Sequence, residues 1–364
     1  MATLEQLLGI PVPIVQAPMA GVQGAALAAA VCGAGGLGSL PCALLDPDAL
    51  RRELASLRAR TGGGPFNANF FCHAPPAPSA EREAAWRAAL APYFAELGVD
   101  PGAGLPAGPG RAPFGHDAAD VLEEFRPAAV SFHFGLPAPD LLARVRGWGA
   151  KVLSTATTVE EALWLEARGV DAVIAQGLEA GGHRGMFLSE DLNTQSGTFA
   201  LLPQVARAVR VPVIAAGGVA DARGVAAALA LGAAGVQVGT AYLLCPEADT
   251  SAVHRAALKG EAARVTALTN LFTGRPARAV VNRLVREMGP ISAAAPAFPL
   301  AAPAVAALRA RAESRGSGDF SPLWAGQNAT GCYEVPAALL TQELARGAGG
   351  AAGRRYRAQP SARR

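Results

Sequence analysis

PVIAAGGVADARGVAAALALGAAGVQVGT, residues 212–240, decides the fold. It opens on an apolar run (212–216), turns at Gly217-Gly218, and continues into an Ala- and Leu-rich stretch from Asp221 to Gly232. A second apolar run follows at 235–239. Both runs are short and apolar almost throughout, as strands covered on both faces are. The stretch between them starts at a capping aspartate and stops at a glycine, the two marks of a helix. Strand, helix, strand in this order predicts a parallel pair joined by a crossover helix.

The same unit repeats toward the N-terminus. Candidate strands at 13–18, 37–40, 66–71, 128–134, 151–155 and 172–176 bring the number to eight. Asp46-Pro47 places a capping carboxylate before a helix-starting proline, with Leu50, Leu54 and Leu57 on one face. Thr158-Val-Glu-Glu161 reads as a capping box, and its helix stops at Gly169. Eight alternations within about 250 residues predict an α/β fold, a (β/α)₈ TIM barrel over residues 1–240, rather than a six-stranded doubly wound sheet. Gly33-Ala-Gly35-Gly36-Leu-Gly38 matches the spacing of a dinucleotide-binding turn. It follows an Ala-rich helix (25–31) and leads into a strand, the reverse of what pyrophosphate binding at a helix N-terminus requires, so it reads as a helix end and turn.

Three stretches fall outside the repeat. Residues 72–126 are too long for a simple helix connection and contain the Gly/Pro-rich segment 101–115. From 241 to 343 the strand signals stop, which predicts a smaller C-terminal helical domain that covers the barrel mouth and returns to the barrel. The tail 344–364 has almost no apolar anchor and reads as a disordered basic segment.

Of the 364 residues 51% are hydrophobic and 17% charged, enough apolar side chain for a large core. The net charge of +3 is local: six arginines (Arg346, Arg354, Arg355, Arg357, Arg363, Arg364) stand near the C-terminus without an acid, and without them the balance falls to −3. That excludes a basic body of the kind that binds nucleic acid. The five cysteines are scattered and odd in number, as expected of reduced thiols in a cytoplasmic protein. No signal peptide is visible, and no apolar run reaches the ~20 residues of a membrane span.

Barrel enzymes work at the C-terminal ends of their strands and bind phosphate after strands seven and eight. Those ends carry Gly217-Gly218 and Gln237-Val238-Gly239-Thr240, where glycine lets backbone N–H groups approach an anion. Strand six runs into QGLEAGGHRG (176–185), which puts His183 in a glycine-rich loop at the mouth. A histidine there can take a proton from a substrate carbon or hold its anion. His133, at the end of strand four, is a second candidate. Asn67 and Asn69 share one side of strand three by alternation, and a carboxamide can pair with an amide–imide edge such as a flavin's. Gln16, Gln176 and Gln237 are polar in otherwise apolar strands, so they need a polar ligand or each other.

APMAG (17–21), FNANFF (66–71), VSFHFG (130–135), QGLEAGGHRG (176–185), AAGG (215–218), QVGT (237–240) and FTGRPAR (272–278), in this order, resemble the nitronate monooxygenases; with LWAGQ (323–327) the resemblance covers about residues 5–343. It implies FMN held without metal. The FMN contacts fall on Asn69, Gln176, Gly181, Gly218, Gln237, Val238, Gly239 and Thr240, beside Gly182 and Gly217, with Pro18, Met19 and Ala20 along the isoalloxazine. It also implies His183 as the catalytic base, His133 and Phe298 toward the substrate, and an alkyl nitronate oxidised with O₂ to a carbonyl compound and nitrite. With a neutral nitroalkane, His183 first removes the α-proton. NAD(P)H is not required, propionate 3-nitronate is the usual substrate proposed, and the protein is expected to be a monomer or homodimer without membrane or nucleic-acid partners.

One departure stands out. Bacterial class I members carry Tyr-Pro-x-x-Tyr-x-x-x-Lys where this chain has Phe298, Ala302 and Ala306, so two hydroxyls and a positive charge are missing. That predicts weaker use of an acidic nitronate, or a larger and more apolar substrate. Two other readings compete: an FMN-dependent NAD(P)H:enoyl-acyl-carrier-protein or quinone reductase on the same barrel, and a non-catalytic flavin-binding accessory protein.

Overall fold

The structure, a computed structural model, describes residues 3–102 and 111–349. Eight of its strands form one parallel sheet: β1 (Ile14–Gln16), β2 (Ser39–Pro41), β3 (Asn67–Phe71), β4 (Ala129–His133), β5 (Lys151–Ala156), β6 (Ala172–Gln176), β8 (Val213–Ala216) and β9 (Gly235–Val238). β7 (Gly182–His183) lies in the loop after β6 and belongs to a second sheet. In the large sheet the order is β1-β9-β8-β6-β5-β4-β3-β2, and a parallel bridge from Val15 to Leu37 joins the two outer strands. The sheet is thereby closed into the expected (β/α)₈ barrel. The second strand begins at Ser39 rather than 37, because Leu37 makes only that closing bridge.

Alternation sorts the side chains. Val173, Ala175, Val213, Ala215, Val236 and Val238 face outward into the core between sheet and helices. Ala129, Leu153, Ala172, Ile174 and Ile214 form an inner cluster with Val15 and Leu37, closed at the bottom by Leu4 and Leu8 of the short helix Leu4–Leu8. Several inward-facing residues toward the strand tops are polar, among them Asn69, Ser131, Gln176 and Gln237, and these line the site.

The helix ends follow the sequence reading in part. Asp46 Oδ1 accepts from Ala49 N (2.7 Å), and Asp221 Oδ1 from Gly224 N (2.7 Å). Thr158 caps its helix, but Glu161 does not complete a box. Its buried carboxylate accepts from Thr157 N (2.6 Å) and Phe187 N (2.5 Å), tying the helix to the loop beyond His183. Gly33 ends the helix Ala25–Gly33, so the glycine cluster is a helix end and turn.

The purely helical reading of 241–343 needs correction. β10 (Thr266–Thr269) and β11 (Ala277–Val280) pair antiparallel, and β11 pairs on its other edge with β7. This small sheet shares a second core with helix Ala302–Glu313 and with helix Ala80–Leu97, which comes from the long β3–β4 connection. Trp86 Nε1 donates to Ala301 O (3.1 Å) across that core. Helix Ala337–Gly349 then returns to the barrel, packing on helices Ala25–Gly33 and Ala222–Ala230, and the Tyr242 hydroxyl meets Thr341 Oγ1 at 2.9 Å. Residues 344–349, expected to be part of a disordered tail, are the last turns of that helix. The rest of the tail, and 103–110 of the Gly/Pro-rich segment, lie outside the described residues. Among the described residues, no helix is long and apolar enough to cross a membrane, and all five cysteines are free.

Candidate active site

A cavity opens at the C-terminal ends of the barrel strands, as the strand-end rule predicts. Pro18, Met19, Ala20, Asn69, His133, Gln176, Gly181, Gly182, His183, Gly217, Gly218, Gln237, Gly239 and Thr240 all line it. Two expected residues do not. Val238 faces outward, buried in the helix-packed core, because the strand that points Gln237 inward must point its neighbour out. Phe298 stands behind the lining, its ring 5.3 Å from that of His183. Ala302 and Ala306 lie on helix Ala302–Glu313 and are also absent from the lining.

Strand polarity explains the walls. Asn67, Asn69 and Ser131 point inward from β3 and β4, and the two Nδ2 groups converge on Ser131 Oγ (2.8 and 2.9 Å). Gln16 is spent on structure, accepting from Ser39 N (3.0 Å) and donating to Gln23 Oε1 (2.6 Å). Gln176 holds the histidine loop: its Nε2 donates to His183 O (3.0 Å) and its Oε1 accepts from Gly185 N (2.8 Å). Gln237 alone of the three keeps a buried oxygen, Oε1, without a partner. An orphaned acceptor in a cavity wall is the signature of a missing donor.

The opposite end of the cavity is backbone. Gly217 (φ 116°) and Gly218 (φ 76°) adopt conformations that other residues rarely hold, and Asn328 Nδ2 fixes the turn through Gly218 O (2.9 Å). Among the described residues neither glycine N–H has a backbone acceptor, so both are open to an anion. Glu179, also in the lining, turns its carboxylate to Thr198 N (2.7 Å) and Oγ1 (2.8 Å), where it caps helix Thr198–Ala208.

His183 is placed by both sheets. β7 pairs with β11 in the register His183↔Ala277, and Thr273 Oγ1 lies 2.8 Å from His183 Nε2. The Thr273 hydroxyl also lies 3.5 Å from Arg275 O, and the hydrogen of the Nε2 contact can come from either partner. Burial holds the His183 imidazole well below its usual range, helped by the positive charge of Arg111 and Arg275. His183 is therefore neutral at neutral pH.

His133 is not a free group. Its Nε2 donates to His183 O (3.2 Å) and its Nδ1 accepts from Thr155 Oγ1 (3.0 Å), so it braces the loop, and burial lowers its pKa to about 3. Gly185 crosses over this pair so closely that a Cβ would stand 2.5 Å from Thr155 and 2.8 Å from His133. The loop is further anchored by Arg184, fully buried, which donates to Gly177 O (2.6 Å), Gln176 O (2.8 Å) and Gln195 Oε1 (3.0 Å).

Sequence reasoning missed several neighbours. Trp324 (5.3 Å between rings) and Phe71 (6.2 Å) stand beside His183. His73, buried and lowered to about 4 by that burial, packs edge-on to Phe298 at 4.7 Å. Arg275 lies 4.1 Å from the centre of the Phe134 ring, and Arg111 enters the lining from the 101–115 segment. FTGRPAR contained the signal for Thr273 and Arg275, polar residues in an otherwise buried stretch. Nothing local pointed to Arg111 or His73.

The family model described as Nitronate monooxygenase matches residues 2–347. Nitronate monooxygenases of Paraburkholderia phytofirmans and Pseudomonas aeruginosa are each 46% identical to this chain, the first over 94% of both chains and the second over 93% of this one and 97% of its own. The crystal structure of nitroalkane oxidase from Streptomyces ansochromogenes superposes with a TM-score of 0.85 at 42% identity, covering 96% of this chain and 99% of that one. FabK from Thermotoga maritima superposes at 0.70 with 28% identity, covering 97% of each chain. With strand order, cavity and relatives in agreement from end to end, the chain belongs to the nitronate monooxygenase family of oxidoreductases.

Proposed function

We propose that this chain binds FMN and converts alkyl nitronates, and nitroalkanes after loss of their α-proton, into a carbonyl compound and nitrite with O₂. The observation that carries the reading is His183, a neutral imidazole in the cavity wall, held by Thr273 and close to the positive charge of Arg111. The group's fit rests on the orphaned Gln237 Oε1 and on the open amides of Gly217 and Gly218. Gly217, Gly218, Gly239 and Thr240 would hold the phosphate, Asn69 and Gln237 the polar edge of the ring, and Pro18, Met19 and Ala20 its face, with Gly181, Gly182 and the loop-holding Gln176 alongside. FMN, when bound, supplies the capacity to accept electrons from the nitronate and deliver them to O₂. Overall, two nitronate anions and one O₂ give two carbonyl compounds and two nitrites, which balances atoms and charge.

The chain's own contribution is electrostatic. Arg111 and Arg275 favour an anion in the cavity and disfavour protonation of His183. The cavity thus favours a substrate that arrives as a nitronate, which has already lost the proton that His183 would remove. A neutral nitroalkane must instead lose its α-proton to an imidazole that burial has weakened, so kcat/KM is expected to be higher for the preformed nitronate. Phe71, Phe298 and Trp324 around the His183 ring exclude water from that transfer.

Anaerobic titration of the flavin-loaded protein with ethyl nitronate, nitroethane and NADH tests the reading. Loss of flavin absorbance with ethyl nitronate, and nitrite on admitting air, is the expected result. Bleaching by NADH and not by the nitronate would replace the reading with a nicotinamide-dependent reductase.

A further inference from the structure

Arg111 and Glu179 are the two charged residues in the cavity lining other than histidine. Glu179 is satisfied by the N-terminus of helix Thr198–Ala208, whereas Arg111 meets no carboxylate: among the described residues it takes part in no ion pair, and it feels the like charge of Arg309. The undescribed residues cannot supply one from a side chain, because 1–2, 103–110 and 350–364 contain neither Asp nor Glu. Arg111 is half-buried, and withdrawing a guanidinium from water without an anion is costly; that desolvation lowers its pKa. The position is nevertheless built. Three residues on, Phe114 is buried, donates its N–H to Phe71 O (2.8 Å) and packs its ring 4.8 Å from Phe70 and 5.5 Å from Phe132. The segment carrying Arg111 is thus pinned to the end of β3, beside His183.

We propose that Arg111 is the counter-ion for a planar two-oxygen anion on the substrate. A guanidinium fork matches such a group through two parallel hydrogen bonds, and either a carboxylate or the nitronate itself presents that shape. The inference rests on the functional reading above and assigns its specificity. The positive charge missing from helix Ala302–Glu313 is supplied from the β3–β4 connection, so an acidic nitronate is a good substrate of this chain rather than a poor one.

Arg111→Met and Arg111→Lys, compared with the wild type on neutral nitroethane, ethyl nitronate and the nitronate of 3-nitropropionate, test it. Arg111→Met is expected to raise KM for the anionic substrates about ten- to a hundred-fold. The rise for nitroethane is much smaller, kcat changes less than KM, and Arg111→Lys recovers part of the loss. Loss confined to the 3-nitropropionate nitronate identifies the carboxylate as the ligand; equal loss on both nitronates identifies the nitronate. Calorimetric titration with propionate, which needs no turnover, is expected to show binding to the wild type and none to Arg111→Met. Equal KM changes for neutral and anionic substrates, or the same propionate titration for wild type and Arg111→Met, overturns the proposal. Wild-type protein that turns over no nitronate sinks the functional reading instead, with the propionate titration still deciding the role of Arg111.

Discussion

At the ends of β8 and β9 the cavity wall is backbone, with Gly217, Gly218 and Gly239 presenting little but amides. On the far side, at the ends of β3 and β4 and in β7, it is ring and charge: Phe71, His133, His183 and Arg111. The first wall is made by glycines at two strand ends, of which Gly217 and Gly218 hold positive φ values that other residues rarely adopt. The second is assembled from parts far apart in the chain: Phe71 stands more than a hundred residues before His183, which meets Thr273 90 residues further on. A wall of amides suits a cofactor that stays, since it offers many weak contacts, and the carboxylate of Glu179 beside it is already spent on Thr198. A wall of imidazoles and guanidiniums suits a substrate whose charge changes during reaction.

The sharpest way to separate the two walls is to damage one at a time. His183→Asn is expected to lower kcat/KM for nitroethane by about 10²–10⁴-fold, the contribution of a positioned general base. Its flavin spectrum should be unchanged, because the glycine wall is intact. A variant that lost its flavin along with its activity would show that the walls are not independent.

Gly217→Ala attacks the other side. At φ 116° a Cβ would meet Thr198 Oγ1 at 2.9 Å and Ala180 N at 3.0 Å, and the strained backbone costs about 1–3 kcal/mol. The expected outcome is weaker flavin retention on gel filtration and a lower melting temperature. Activity of the fraction that keeps flavin should stay close to that of the wild type. Retention equal to wild type would remove Gly217 from the cradle.

The smallest effect is in the response to pH. His73 and His254 are lowered to about 4 and His133 to about 3, against an ordinary 6.5, in each case mainly by burial. As pH falls through 6.5 the unfolded chain takes up protons that the folded chain refuses until about 4 or 3. Stability is therefore full above 6.5 and falls as the pH drops toward 4, with His133 extending the loss to about 3. Melting temperatures measured across that window should decline, and His73→Phe should flatten the decline. A flat profile in the wild type would contradict the burial of these rings.

The barrel was legible in the sequence because its evidence is local and repeated. Most strands are short apolar runs, and several of the helices carry their own side-chain caps. The glycine wall was legible for the same reason. The cap sheet was not: β10 (Thr-Ala-Leu-Thr) and β11 (Ala-Arg-Ala-Val) are four residues each and carry polar side chains. Arg278, in the middle of β11, donates to Leu178 O (2.7 Å), a partner visible only after folding. Arg111 was hidden by composition, since a Gly/Pro-rich segment reads as surface loop until Phe114 is seen anchored in the barrel core. The three glutamines looked equivalent in sequence. Packing consumed Gln16 and Gln176 and left Gln237 with an open acceptor.

The two-residue strand that carries His183 has one further consequence. β7 has no hydrogen-bonded neighbour except β11, and side chains along a strand alternate with a period of two. A slip of a single position between these strands would turn the imidazole to the opposite face of its ribbon and bring Gly182 to its place. Such a slip removes the base without deleting an atom or disturbing the barrel. Insertions or deletions between β10 and β11 should accordingly behave as active-site mutations, although they fall nearly a hundred residues from the histidine they would displace.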